Sequence, residues 1–233
     1  MALHSGSWFD SKWIGKIVHF ESPSCSWRIT AKLQERETRY LQSEFRLCGF
    51  YSEASCTFIC EDLESSIQAI MKVRMQIPYI EEDSNSPIPS SEQALTGLSG
   101  RTEREIQALS GLTKAGCSCT PRYITSKHED QGAGDWIPGG FLEYLVIEKV
   151  EGIKLSHDIL DSLNAQQLIK LREAFKSSYL ECHRYGFVNL NPNPENLIWN
   201  DAQAKCYIVD WESWCKKAKW NNAEFRWWGL EFD

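Results

Sequence analysis

Residues 164–212 leave this chain few choices. Asn164 opens an amphipathic segment with Gln167 three residues on, the spacing of a capping box. Leu168, Leu171, Phe175, Tyr179 and Cys182 then fall on one helical face until Gly186 ends the run. Next comes Val188-Asn189-Leu190-Asn191-Pro192-Asn193-Pro194-Glu195-Asn196-Leu197-Ile198-Trp199, and later Tyr207-Ile208-Val209-Asp210-Trp211-Glu212. Asparagine and proline at that density end a helix and favour turns, while the apolar residues on either side suit short strands. The plain reading is an Asx/Pro turn joining two strands behind a long helix.

Upstream, Phe45 to Cys60 is rich in aromatic and β-branched residues and reads as a strand pair broken near Cys48-Gly49. Ile67 to Met75 reads as a further strand, with Ala69, Met71 and Val73 on one face and Gln68, Ile70, Lys72 and Arg74 on the other. A linker is expected over about 81–99, from the acidic and proline-rich text that follows Pro78. A helix is expected from Thr102 to Ala115, closed by Gly116. A polar turn over 126–140 then leads into an apolar strand from Phe141 to Val150. Residues 1–40, with Trp8, Trp13 and Trp27 among polar residues, give no clear pattern. The tail is loaded with Trp211, Trp214, Trp220, Trp227 and Trp228.

The formal net charge of −7 argues against nucleic acid as a partner. No apolar stretch is long enough to span a bilayer, and the N-terminus lacks the features of a secretory signal, so a cytoplasmic address and no membrane partner are expected. Nine cysteines without a framework spacing read as reduced thiols. Cys117-Ser118-Cys119 has no matching Cys or His pair nearby at finger spacing, so no structural metal is expected there.

The segment 183–212 resembles the catalytic loop and metal-binding turn of the protein-kinase-like superfamily, in particular its aminoglycoside-phosphotransferase-like branch and small fungal-type kinase-like proteins. The matched features are Gly186, Pro194-x-Asn196 and Val209-Asp210. The resemblance covers roughly residues 65–230. It implies an α+β fold, a bilobal protein-kinase-like architecture with a truncated helical C-lobe. The N-lobe would span 1–147, an antiparallel sheet with one helix, and the truncated C-lobe 148–233. It also implies ATP and Mg²⁺ as cofactors, with Asn196 and Asp210 as metal ligands.

Lys72 would hold nucleotide phosphates, and Glu105, in Arg104-Glu105-Ile106-Gln107-Ala108-Leu109, would hold that lysine, with Glu103 as a fallback. Thr102-x-x-Glu105 also reads as a capping box. Glu148 and Val150, in Ile147-Glu148-Lys149-Val150-Glu151-Gly152, would form the hinge that meets a nucleotide base. Two departures cut against the usual reaction. Asn189 and Asn191 stand where the motif has its His and its catalytic Asp, and an amide cannot take a hydroxyl proton. Gly15 and Gly49 are the only glycines between residues 15 and 60, so no phosphate-covering glycine loop is present. Glu195 and Glu212 sit at positions commonly acidic in this branch.

Three functions follow as expectations. One is a pseudokinase-type protein binding a nucleotide or small ligand in an interlobe cleft, with little or no ordinary phosphotransfer. Another is an enzyme reusing that cleft for non-kinase chemistry on a small, apolar metabolite. The third is an interaction module whose tryptophans meet a protein partner.

Overall fold

The computed structural model describes residues 6–80, 89–216 and 220–231. The chain divides into two compact units, Met1–Thr102 with Ile124–Ile147, and Glu103–Tyr123 with Glu148–Asp233.

The first unit is built on a six-stranded sheet that curls into a nearly closed, barrel-like form. Its strands are β1 (Ile17–Glu21), β2 (Ser24–Thr38), β3 (Glu53–Asp62), β4 (Gln68–Gln76), β5 (Tyr123–Asp130) and β6 (Phe141–Glu148), in the order β1-β2-β3-β4-β6-β5. The pairs β1–β2, β2–β3 and β3–β4 are antiparallel, with Lys72 opposite Thr57. Alternation in β4 buries Ala69, Met71 and Val73 completely, as the sequence predicts. These meet Ile29, Phe58, Cys60 and Val146 in one core, which also takes in Trp8 and Phe9 from the N-terminal segment. Trp13 stacks on Phe58 and makes an edge contact with Phe9, which accounts for the early aromatic residues.

The other face of β4 is also covered at its C-terminal end. Arg74 is 6% exposed and pairs with Glu53, itself 3% exposed. Arg74 Nε donates to Thr102 Oγ1 at 3.1 Å, and Arg101 reaches Glu53 at 2.8 Å. A buried charge persists only when paired and hydrogen-bonded, and this cluster meets that condition. Thr102 is therefore engaged with Arg74 rather than serving as a helix cap. Ser99 takes that place, its hydroxyl accepting from the Thr102 N–H at 3.3 Å at the start of α2 (Gly100–Lys114).

Residues 42–48 are helical where a strand is expected: α1 (Gln42–Cys48) has the Glu44 carboxylate accepting from the Leu41 N–H at 2.7 Å and Gly49 at φ +70° ending it. The strand of that pair begins only at Glu53. Of the expected linker, residues 81–88 lie outside the described residues, and the remainder holds a 3-10 turn, Ser90–Gln93, with Gln93 and Ser99 buried.

The second unit contains part of α2, α3 (His157–Ser162), α4 (Ala165–Arg184) and α5 (Ala223–Trp227). Its strands are β7 (Ile153–Lys154), β8 (Val188–Asn189), β9 (Leu197–Asn200), β10 (Lys205–Ile208) and β11 (Trp214–Cys215). β9 pairs antiparallel with both β10 and β7, and β8 with β11. Asn164 caps α4 with the reciprocal Gln167 bond the sequence predicts. Leu171, Phe175, Tyr179 and Cys182 are its buried face. Phe175 and Tyr179 pack with Trp220, Phe225 and Trp228, so part of the tryptophan-rich tail belongs to this unit's own core.

The expected fold class is thus corrected. The chain is mostly antiparallel β, 33% strand against 29% helix, and does not adopt a bilobal protein-kinase-like fold with a helical C-lobe. The physical reason lies in the second unit. Among its described residues the helices are α4, the Glu103–Lys114 part of α2, and the short α3 and α5 of six and five residues, set among five strands of two to four residues each.

Candidate functional site

The second unit gathers a polar site around the 188–212 segment. The turn Pro194–Asn196 is a single 3-10 turn, with proline at its start and Asn193 Oδ1 accepting from the Glu195 N–H at 2.9 Å. β9 follows at once, and the Val209 N–H donates to the Asn196 carbonyl at 2.9 Å. Asn196 and Asp210 are thereby neighbours because strand β10 returns alongside β9.

Asn189 is 5% exposed and its side chain acts as a spacer in the backbone. Its amide nitrogen donates to the carbonyls of Val209 (3.3 Å) and Asp210 (2.8 Å), and its amide oxygen accepts from the Asn191 N–H at 2.8 Å. Asp210 has φ +62°, a left-handed conformation that a side-chain-bearing residue adopts only when its surroundings impose it. The two donations from Asn189 supply that constraint.

Asn196 is also 5% exposed, and its amide nitrogen donates to the Asn191 carbonyl at 2.9 Å. That bond fixes the rotamer and leaves the amide oxygen as the acceptor turned the other way. Asn191 is exposed, and its amide nitrogen donates to Asp210 Oδ2 at 3.3 Å.

Helix α2 brings a further carboxylate. Carboxylate oxygens of Glu105, Asp210 and Glu212 all lie within 4.8 Å of one another, Glu105 being buried and the other two half-buried. Glu105 Oε1 also accepts from the Trp211 N–H at 3.4 Å. A clasp on the next residue sets the register. The Arg104 guanidinium donates to the carbonyls of Glu212 and Trp214, and the Trp214 indole N–H donates back to the Arg104 carbonyl at 2.9 Å. About two turns on, Gly111 permits the close approach of Phe187, whose ring would stand 2.6 Å from a Cβ there. Phe187 in turn packs on Trp214 at 4.8 Å between ring centroids.

Five of the expected site residues therefore fall together: Asn189, Asn191, Asn196, Asp210 and Glu105. Glu105 stands among acidic groups as well as beside α2's own turn. Glu212 joins them, though the sequence marks it only as a commonly acidic position. Glu148 lies elsewhere in this unit, at the end of β6, with its Oε2 accepting from Arg122 N (3.2 Å) and Nε (3.1 Å). Val150 is half-buried just beyond it. Lys72 belongs to the first unit, half-buried in the middle of β4. Also in the first unit, the tight β1–β2 turn carries Ser22-Pro23, and proline contributes no N–H toward a phosphate.

The gathered donors are the hard carboxylate oxygens of Glu105, Asp210 and Glu212. That chemistry fits Mg²⁺ or Ca²⁺ and not a soft metal. No protein-family model matches this chain, and no curated protein matches it in sequence.

Proposed function

We propose that this protein binds a hard divalent cation together with a phosphate-bearing small ligand of the nucleotide class at the 189–212 segment, and transfers phosphate poorly or not at all. The observation that carries this reading is the gathering of Glu105, Asp210 and Glu212 within 4.8 Å beside the Asn191 amide. Carboxylate oxygens that converge to this spacing offer a hard-oxygen set of the kind that divalent cations such as Mg²⁺ or Ca²⁺ take. Asn196, at the spacing the kinase-like motif gives its second metal ligand, supplies a neutral oxygen with its rotamer already fixed.

A Mg²⁺ ion held here would supply charge neutralisation for a phosphate-bearing ligand. The chain's own residues would hold the ion through Asp210 and Asn196 and orient a ligand hydroxyl through Asn191. None of these three amide and carboxylate groups replaces the missing general base, whose loss typically removes on the order of 10²–10⁴ in rate. Binding without efficient turnover is the consequence. A cytoplasmic address accompanies this reading, supported by nine cysteines that are all free thiols. Among the described residues no helix is long and apolar enough to cross a membrane.

The test is a thermal-unfolding titration with ATP, with and without Mg²⁺. A rise in Tm that needs both is expected, equivalent to about 2.7 kcal/mol at a ligand concentration 100-fold above Kd. Asp210→Ala should abolish it, and Asn191→Asp should leave it intact while introducing measurable ATP turnover. Absence of any Mg²⁺-dependent shift in the unmodified protein would end the proposal.

A further inference from the structure

We propose that Cys117, Cys119 and Cys182 form a second, separate site in the second unit, a three-thiolate cage for a thiophilic divalent ion of the zinc class. Cys117 and Cys119 lie in the bend that follows α2, and Cys182 lies near the C-terminal end of α4. The sulfurs stand 3.4 Å (117 to 119), 3.5 Å (119 to 182) and 3.9 Å (117 to 182) apart. All three residues are buried, at 6%, 1% and 2% exposure.

These separations exclude existing disulfides, whose sulfurs are about 2.05 Å apart. They suit a shared ion well. Three sulfurs each about 2.3 Å from one zinc in tetrahedral directions lie roughly 3.8 Å from one another. A triangle with the observed sides has a circumradius of about 2.1 Å, so an ion at zinc–sulfur distance sits about 1 Å off the sulfur plane. That offset leaves a fourth coordination position on one side. The Ser178 carbonyl, which accepts from the Cys119 thiol at 3.2 Å, is the nearest oxygen donor to that sulfur.

The surroundings hold the cage in shape. The Glu181 carboxylate accepts from Ser118 N at 2.7 Å and from Ser118 Oγ at 3.1 Å, and the Ile208 N–H donates to the Cys119 carbonyl at 2.9 Å. The Cys-Ser-Cys turn is thus fastened to α4 and to the end of β10 by bonds that involve no sulfur, as outer-shell partners of metal ligands commonly are. A dication would offset the charge of thiolates that burial otherwise disfavours. This ligand set is soft, so it is chemically distinct from the oxygen site at Asp210.

The experiment uses the full chain, stripped of metal under a non-coordinating reductant, and titrated with Cd²⁺ and then Zn²⁺. The expected result is a sulfur-to-cadmium charge-transfer absorption that saturates at one equivalent, displacement of that band by Zn²⁺, and a raised Tm with either ion. Cys182→Ser should lose the band, and the exposed Cys48→Ser should keep it. A wild-type protein with all thiols reduced but no saturable band and no metal-dependent Tm would overturn the proposal. So would a disulfide among the three found by peptide mapping of protein prepared without oxidant. The wild-type titration depends on no variant, so it decides the matter even if Cys182→Ser does not fold. Mg²⁺ and ATP play no part in it, so its failure leaves the reading of the Asp210 site untouched.

Discussion

Asn189 and Asn191 share a side chain and differ in role. Asn189 is buried and spends both of its amide groups on the backbone of its own loop and of the turn at Asp210. A carboxylate at that position would have no N–H to give to the Val209 and Asp210 carbonyls, so the amide suits a fixed turn. Asn191 is exposed and directs its amide toward the Asp210 carboxylate. The same distinction between buried and exposed polar groups governs Arg74, which the sequence places on the second face of its strand and the structure buries against Glu53. Breaking a buried pair leaves the partner's charge uncompensated. Arg74→Met is therefore expected to lower unfolding free energy by about 3–5 kcal/mol in a urea titration. The equivalent change at the exposed Arg226–Glu231 pair should leave the urea midpoint nearly unchanged.

At the scale of elements, the legible parts were those where one signal dominates. The capping box and apolar stripe placed α4 almost to the residue, and Asn164→Ala should cost about 1 kcal/mol, read from the same urea titration. Strand β4 was legible for the same reason, a clean alternation. Strand β2 was not. Its 15 residues include Lys32, Gln34, Glu35, Arg36 and Glu37, and register shifts between Ile29 and Ala31 and between Lys32 and Gln34 break any period of two. Residues 42–48 misled because Phe45 and Leu47 resemble strand text, whereas the Glu44 and Gly49 caps decide for helix. In the site, Asn196 and Asp210 are named together by the resemblance alone, and one short hairpin separates them. The contributions of Glu212 to the oxygen cluster and of Cys182 to the thiol cluster depend on packing between elements, 107 and 63 residues from their partners Glu105 and Cys119, which no local pattern encodes.

For the whole molecule, the mostly antiparallel architecture shows that a resemblance over a short segment does not fix the fold around it. Global stability should also carry a trace of the tail. Glu224 is buried beside Tyr179, whose hydroxyl donates to it at 2.9 Å, and burial raises its carboxyl above the ordinary range despite that bond. A raised acid favours the fold while protonated, so its contribution is present below the unfolded-state pKa and is lost as pH climbs through the raised one. Glu224→Gln should therefore flatten the decline in Tm that wild type shows as pH rises above the ordinary glutamate range, measured by calorimetry. The clasp between Arg104 and Trp214 has a final consequence. It anchors the chain on the far side of Asp210 while Asn189 anchors the near side, so the backbone itself fixes the spacing of the carboxylates there. On the proposed reading, ion capture would therefore need no ordering of backbone, and affinity would be set by charge rather than by folding.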